Sequence, residues 1–408
     1  MRLDRLSGLT LAVLLAAGGL PAAGKDVFTP LTGVPFNPST TPVLGTDGKW
    51  HFVYELELAN TRSAPATLEE VKVITMPPAE IDKPATARFR PPVEPATRVL
   101  ASFGPSTFPD RLKQLDNRPA VDAKLELNAT RLFLLDLAVD KDDIPAQLRH
   151  VLRLTGQGLD VTNPKPVEQS YSLATIEVTR HLPVLGPPLA GDGWVAFNGC
   201  CRPGAHRSTA LPVNGQLHFA QRFAIDWMRL DDQGRLRNGP VSDVRSFAGY
   251  GARVLAIADG TVVSTLDGLP DQVPPNNPDP STITLENIDG NHVVLDIGHG
   301  LYAFYAHLKP GSVRVKVGQK VRTGTVVGLL GNTGNSGAPH LHFHIMDSAS
   351  VLGSEGLPYV YRRFKLAGNF PTEALPDDFG GNFKRYLHAP QQRTKQFPLD
   401  GDVIEFPR

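Results

Sequence analysis

From residue 50 to 58 the chain alternates strictly. Phe52, Tyr54, Leu56 and Leu58 fall on one side of an extended backbone, with Glu55 and Glu57 on the other. A period of two predicts a strand with one apolar and one wet face. The preceding Thr46-Asp47-Gly48-Lys49 supplies hairpin-turn residues. Similar runs recur at 71–74, 131–139 and 172–178, with proline-rich stretches between them; 143–154 fits a short helix. Tighter runs follow at 252–257, 261–264, 292–297, 302–307 and 313–317. Segments 254–263 and 315–328 resemble each other in outline, each setting glycine between β-branched positions, as in a compact antiparallel sandwich with tight corners. The Pro/Asn/Asp-rich stretch 266–280 predicts a surface loop, and the Pro/Gly-rich stretch 183–193 marks the joint between two bodies. The pattern predicts an all-β chain: a leader at 1–24, an N-terminal β-sandwich of immunoglobulin-like type at 25–182, a second β domain at 183–350, and an extension at 351–408 packing on it.

The length of 408 residues is long for one core and agrees with two domains. Lys plus Arg and Asp plus Glu both number 41, so the formal net charge is zero and no electrostatic case for nucleic acid remains. At the start, Arg2 and Arg5 precede an apolar run at 9–20, too short to span a bilayer, and then Ala22, Ala23 and Gly24. This predicts an export signal cleaved after Ala23 or Gly24, leaving a periplasmic or extracellular protein without a transmembrane span. The two cysteines, Cys200 and Cys201, are adjacent. That spacing does not make a zinc site. Two readings stand, a vicinal disulfide or two free buried thiols, and the second is favoured.

Eight of the twelve histidines lie between His206 and His344. If His340-Leu341-His342-Phe343-His344 is a strand, its three imidazoles share one face while Leu341 and Phe343 face a core. Neighbours two apart are separated by roughly 7 Å of rise, so one metal takes one of them and the next reaches a water or substrate. An exposed polar face would tolerate these rings, but burial without partners is costly. Metal or acid–base chemistry is the favoured reading. His307 ends the aromatic run 302–308, and Asp226 offers a carboxylate on a strand face shared with Arg222 and Ala224. His299, flanked by Gly298 and Gly300, reads as a turn residue, and His292 as the structural start of a strand.

Taken in order, these motifs resemble the lysostaphin-type (LytM-like) zinc metallopeptidases. The resemblance covers about 219–346 and includes Ala258-Asp259-Gly260-Thr261-Val262, Tyr305-Ala306-His307-Leu308, the Val317-Gly318-Gln319-Lys320-Val321 stretch, and Gly328 to Gly334 leading into His340-Leu341-His342. It implies a duplicated hybrid motif β-fold, one zinc ion per chain, and endopeptidase action on peptidoglycan cross-bridges or stems. It assigns zinc ligation to Asp226 and His342 and catalytic roles to His307 and His340. His344 and Arg222 are expected to line the site. An envelope protein contacting the N-terminal domain is a further expected partner. The family's upstream motif is His-x-x-x-Asp, with both ends on zinc, but here Arg222 stands four before Asp226. Arginine stays protonated and does not ligate zinc. His206 as replacement ligand is favoured. The alternative is a degenerate site with Arg222 in the metal's place, acting as a binding module or as an activator of a partner hydrolase. His218 is a poorer choice, eight strand residues from Asp226, or roughly 26 Å if fully extended.

Overall fold

A computed structural model describes residues 28–75, 98–157 and 165–408. The expected leader lies outside the described residues. No helix among them is long and apolar enough to cross a membrane.

Two sheets form the N-terminal body. One runs in the order Leu31–Pro35, Trp50–Asn60, Thr130–Val139, Leu112–Lys113, with Val43–Leu44 added beside Trp50–Asn60. The other is built around the pair Ala66–Thr75 and Gln147–Gln157. Phe52, Tyr54, Leu56 and Leu58 from the first sheet meet Leu68, Val71, Val73, Leu148, Leu152 and Leu154 from the second in one core. The helix expected at 143–154 is instead a 3-10 turn at Lys141–Asp143 followed by the strand Gln147–Gln157. Leu148, His150, Leu152 and Leu154 are all fully buried, and that period-two set decides for a strand.

The expected wet face of Trp50–Asn60 is not wet. Glu55 is 0% exposed, and Val53 on the same side enters the core of the second body together with Val43. An outer sheet face is thus an interface, which alternation alone does not distinguish from a solvated face.

The second body is organised by a twelve-stranded sheet. Its middle runs Asp402–Phe406, Gly191–Phe197, Ile225–Arg229, Leu341–Met346, Leu301–Leu308, Asn291–Gly298, Gly260–Leu266. The C-terminal residues are woven into this sheet, since Val360–Asn369 and Asp402–Phe406 pair with each other and the latter with Gly191–Phe197. The two look-alike segments interlock: Arg253–Leu255 pairs with Val326–Leu329, and Gly260–Leu266 with Lys320–Val321. The expected strand at 313–317 is absent; that stretch runs beside Val326–Leu329, with the Arg314 N–H donating to Val327 O at 2.9 Å. Cys200 and Cys201 are joined by a disulfide and buried in the main core, so the favoured reading of two free thiols gives way.

Candidate metal centre and acid–base site

The site is assembled at the middle of the large sheet. Asp226 on Ile225–Arg229 lies directly across from His342 on Leu341–Met346, and directly opposed residues present their side chains together on one sheet face. Leu341, Phe343 and Ile345 alternate into the core, which turns His342 and His344 to the other face. His340 sits just before the strand, bridged to Gly331. The glycine-rich loop 331–339 delivers it: the Ser336 hydroxyl bonds Asn332 Oδ1 at 2.6 Å and lies 3.3 Å from His340 Nδ1.

His307 arrives from the neighbouring strand by a local irregularity. The register between Asn291–Gly298 and Leu301–Leu308 shifts between Asn291 and Val293, and His307 has φ of 60°. A bulge re-aims a side chain, and a left-handed conformation at a non-glycine residue is uncommon. Two bonds hold it there. Its N–H donates to Asp289 O at 3.2 Å, and its Nδ1 lies 2.7 Å from Thr333 O.

His206 comes from outside the sheet, in a single turn at 205–208 closed by Ser208 N–H to Gly204 O at 2.9 Å. Its Nε2 lies 3.3 Å from Asp226 Oδ2, and its Nδ1 lies 3.0 Å from Asn198 O. Asn198 holds both partners, since its Nδ2 donates to Asp226 Oδ2 at 2.8 Å.

Arg222 is elsewhere. The strand carrying Asp226 starts at Ile225, and 219–224 is folded into turns by Arg222 N–H to Phe219 O and Ala224 N–H to Gln221 O. The expected shared face is therefore lost. The Arg222 guanidinium clasps Glu55, with Nε to Oε1 at 3.0 Å and Nη2 to Oε2 at 2.8 Å, and reaches Glu355 at 2.6 Å. His218 pairs with Glu355 at 3.3 Å and stays outside the cluster. His344 packs behind His342, Nδ1 to Nε2 at 2.9 Å, and its own Nε2 is buried without a partner. Neither Arg222 nor His344 lines the cleft.

The proton inventory of this cluster is informative. A carbonyl oxygen only accepts, so the Nδ1 atoms of His206, His307 and His340, facing Asn198 O, Thr333 O and Ala338 O, carry the protons of the neutral rings. Each Nε2 is then a lone pair, and those of His206 and His340 each lie 3.3 Å from the Asp226 carboxylate. His342 Nδ1 lies 2.9 Å from the same carboxylate. Electron-pair donors this close are held together only by cations, whether protons or a metal. Without a metal, protons serve. Burial opposes charge on His206 and His340, but Asp226 outweighs it and raises both. Burial likewise opposes charge on Asp226, yet His206 and His340 hold its carboxyl well below the usual range. His307 goes the other way: burial, with His340 and His342 adding to it, pushes it well below an ordinary imidazole.

The cluster opens into a cleft of about 780 Å³. Several of its walls were invisible to the sequence reading. Thr372, Glu373, Leu375 and Phe379 come from the C-terminal extension, which carries no motif. Asn198, two residues before the cysteine pair, carries no motif of its own. Asp289 also faces the cleft, and burial pushes its carboxyl up to about 7; it had no motif to mark it.

Residues 242–352 match the model of peptidase family M23. Over 116 residues the chain is 34% identical to the glycyl-glycine endopeptidase ALE-1 of Staphylococcus capitis, covering 28% of this chain and 31% of that protein. Over 57 residues it is 44% identical to the peptidoglycan DD-endopeptidase ShyA of Vibrio cholerae, covering 14% and 13%. The chain therefore spans less than a third of the length of either relative. Among solved structures, the catalytic domain of lysostaphin from Staphylococcus simulans aligns at 24% identity with a TM-score of 0.22, covering 41% of this chain and 86% of that one.

Proposed function

This chain carries a peptidase family M23 domain, and on that premise we propose that it is an exported zinc-dependent endopeptidase. Its substrates are peptide bonds in the cross-links or stems of peptidoglycan. The observation that carries the proposal is the convergence of His206, Asp226 and His342, whose ligand atoms all lie within 4.8 Å of one another. Two imidazoles and a carboxylate are a zinc-type donor set with a coordination position left open. A second trio, His307, His340 and His342, meets the same criterion. The first is preferred because it includes the negative charge and leaves His307 and His340 free for proton work.

Zinc held by the first trio supplies a Lewis acid for the scissile carbonyl and an activated water. To ligate through Nδ1, His342 places its ring proton on Nε2, where His344 Nδ1 accepts it; such outer partners fix ligand orientation. His307, kept neutral by burial, accepts a proton at Nε2 while its Nδ1–H donates to Thr333 O. His340, its ring 4.7 Å from that of His307, donates toward the developing oxyanion from Nε2 in its charged form, Nδ1–H staying on Ala338 O. The names of the two relatives support the substrate class, since one is a glycyl-glycine and the other a peptidoglycan DD-endopeptidase. Export rests on the leader at 1–24. Arg222, which motivates the alternative of an inactive binding module, is taken up by Glu55 and Glu355 and leaves Asp226 to its imidazoles.

The test is digestion of purified murein alongside metal analysis. One zinc per chain, new muropeptide products, and at least about a hundredfold loss of rate in His340→Ala are expected. A chain that holds no zinc and leaves the digest unchanged would refute the proposal.

A further inference from the structure

The loop that carries His206 is fastened to the N-terminal sandwich as well as to Asn198 beside the peptidase sheet. His206 and Arg207 are consecutive in one tight turn, so their side chains leave it in different directions. His206 goes to Asp226, and Arg207 goes into the N-terminal sandwich. The Arg207 guanidinium bonds Glu55, and donates to Tyr54 O at 2.7 Å and Leu135 O at 3.1 Å. Two more straps fasten the same loop to the same sheet. Asn117 takes both backbone groups of Ala210, accepting from its N–H at 2.7 Å and donating to its O at 2.9 Å. Ala210 and Phe219 bury themselves against Leu132 and Leu134 on the outer face of Thr130–Val139.

Glu55 also clasps Arg222, four residues before Asp226. One fully buried carboxylate thus holds both Arg222 and the loop that carries His206.

We propose that Glu55 is a positioning residue for the metal centre, acting through Arg207 to set His206 as the third ligand, so that the N-terminal sandwich completes the peptidase site. The inference rests on the zinc reading of the site given above. Removing the negative charge of Glu55 leaves Arg207 with only carbonyl partners, and the turn at 205–208 loses the one charged contact among those that orient it. Outer partners bonded directly to metal ligands are worth about 10- to 100-fold in metal affinity; Glu55 acts one residue further out, so a loss at or below the lower end of that range, about 3- to 10-fold, is expected here.

The experiment uses the full-length protein and zinc titrated against a chromophoric chelator. Wild type, Glu55→Gln, His206→Ala and the double variant form a cycle. Glu55→Gln is expected to weaken zinc binding by about 3- to 10-fold, and to weaken it no further once His206 is alanine. Hydrogen exchange on the zinc-free proteins supplies a second readout, with faster exchange expected at the 205–210 amides in Glu55→Gln. Should Glu55→Gln not fold, Asn117→Ala replaces it in the same cycle, removing a half-buried strap with no charge. A few-fold loss that likewise vanishes in the His206→Ala background is then expected. Zinc affinity within twofold of wild type, or an equal loss with and without His206, would overturn the coupling. A wild-type chain that binds no zinc would overturn the reading of the site as well, and so is told apart from failure of the coupling alone.

Discussion

Among the described residues, the buried carboxylates Glu55 and Asp226 are each enclosed by arginine or histidine side chains, and they are built for opposite ends. Glu55 is closed in by the guanidiniums of Arg207 and Arg222. Burial works against its charge, but the two arginines outweigh this and lower its pKa. Asp226 is ringed by His206, His340 and His342 and faces a cleft. Guanidinium carries its charge permanently, so Glu55 is neutralised for good and has no room for a cation. Imidazole surrenders its proton near neutrality, so the charge around Asp226 is exchangeable and its lone pairs are available to a metal. The same carboxylate chemistry becomes a fastening in one place and a candidate catalytic centre in the other. Adjacent residues, His206 and Arg207, connect the two.

The largest effect should come from breaking the fastening outright. Glu55→Ala leaves two arginines in a sealed interface, and removing one partner of a buried ion pair costs about 3–5 kcal/mol. Urea unfolding should show a loss of that size. A change below about 1 kcal/mol would mean that the arginines find water or Glu355 instead, and the contrast between sealed and open carboxylates would fail.

A smaller effect concerns charge that never enters the fold. His150 is fully buried, 2.9 Å from the Tyr54 hydroxyl, and burial pushes its pKa down to about 3. In the unfolded chain the ring titrates near 6.5, so between about pH 6.5 and 3 the unfolded state binds the extra proton. Stability therefore falls as pH drops through that window, at most about 1.4 kcal/mol per unit from this group. Above pH 6.5 it contributes no slope. His150→Gln should flatten the decline in Tm between pH 7 and 5 relative to wild type, whereas parallel profiles would contradict the assignment.

Much of the site was legible because it sits on strands. Period-two alternation put Leu341 and Phe343 in the core and the imidazoles opposite, and the structure keeps that arrangement. What failed to read were features set by contacts between distant parts of the chain. Glu55 looked solvent-facing because alternation reports two faces and not what covers the second. Arg222 shares a face with Asp226 only if the strand reaches back to residue 222, but turns closed by Phe219 O and Gln221 O keep it from starting before Ile225. Asp289 and the 372–379 wall carry no motif, and only the fold brings them to the cleft. His206 was reachable from the sequence only by asking what replaces a missing ligand.

The most direct measurement is zinc affinity of the purified protein with and without His206. Outer partners already account for 10- to 100-fold, so His206→Ala should weaken binding by more than about 100-fold, while His218→Ala should leave it unchanged. Equal, tight binding by wild type and His206→Ala would contradict the account, because the third ligand would then have to be some other group.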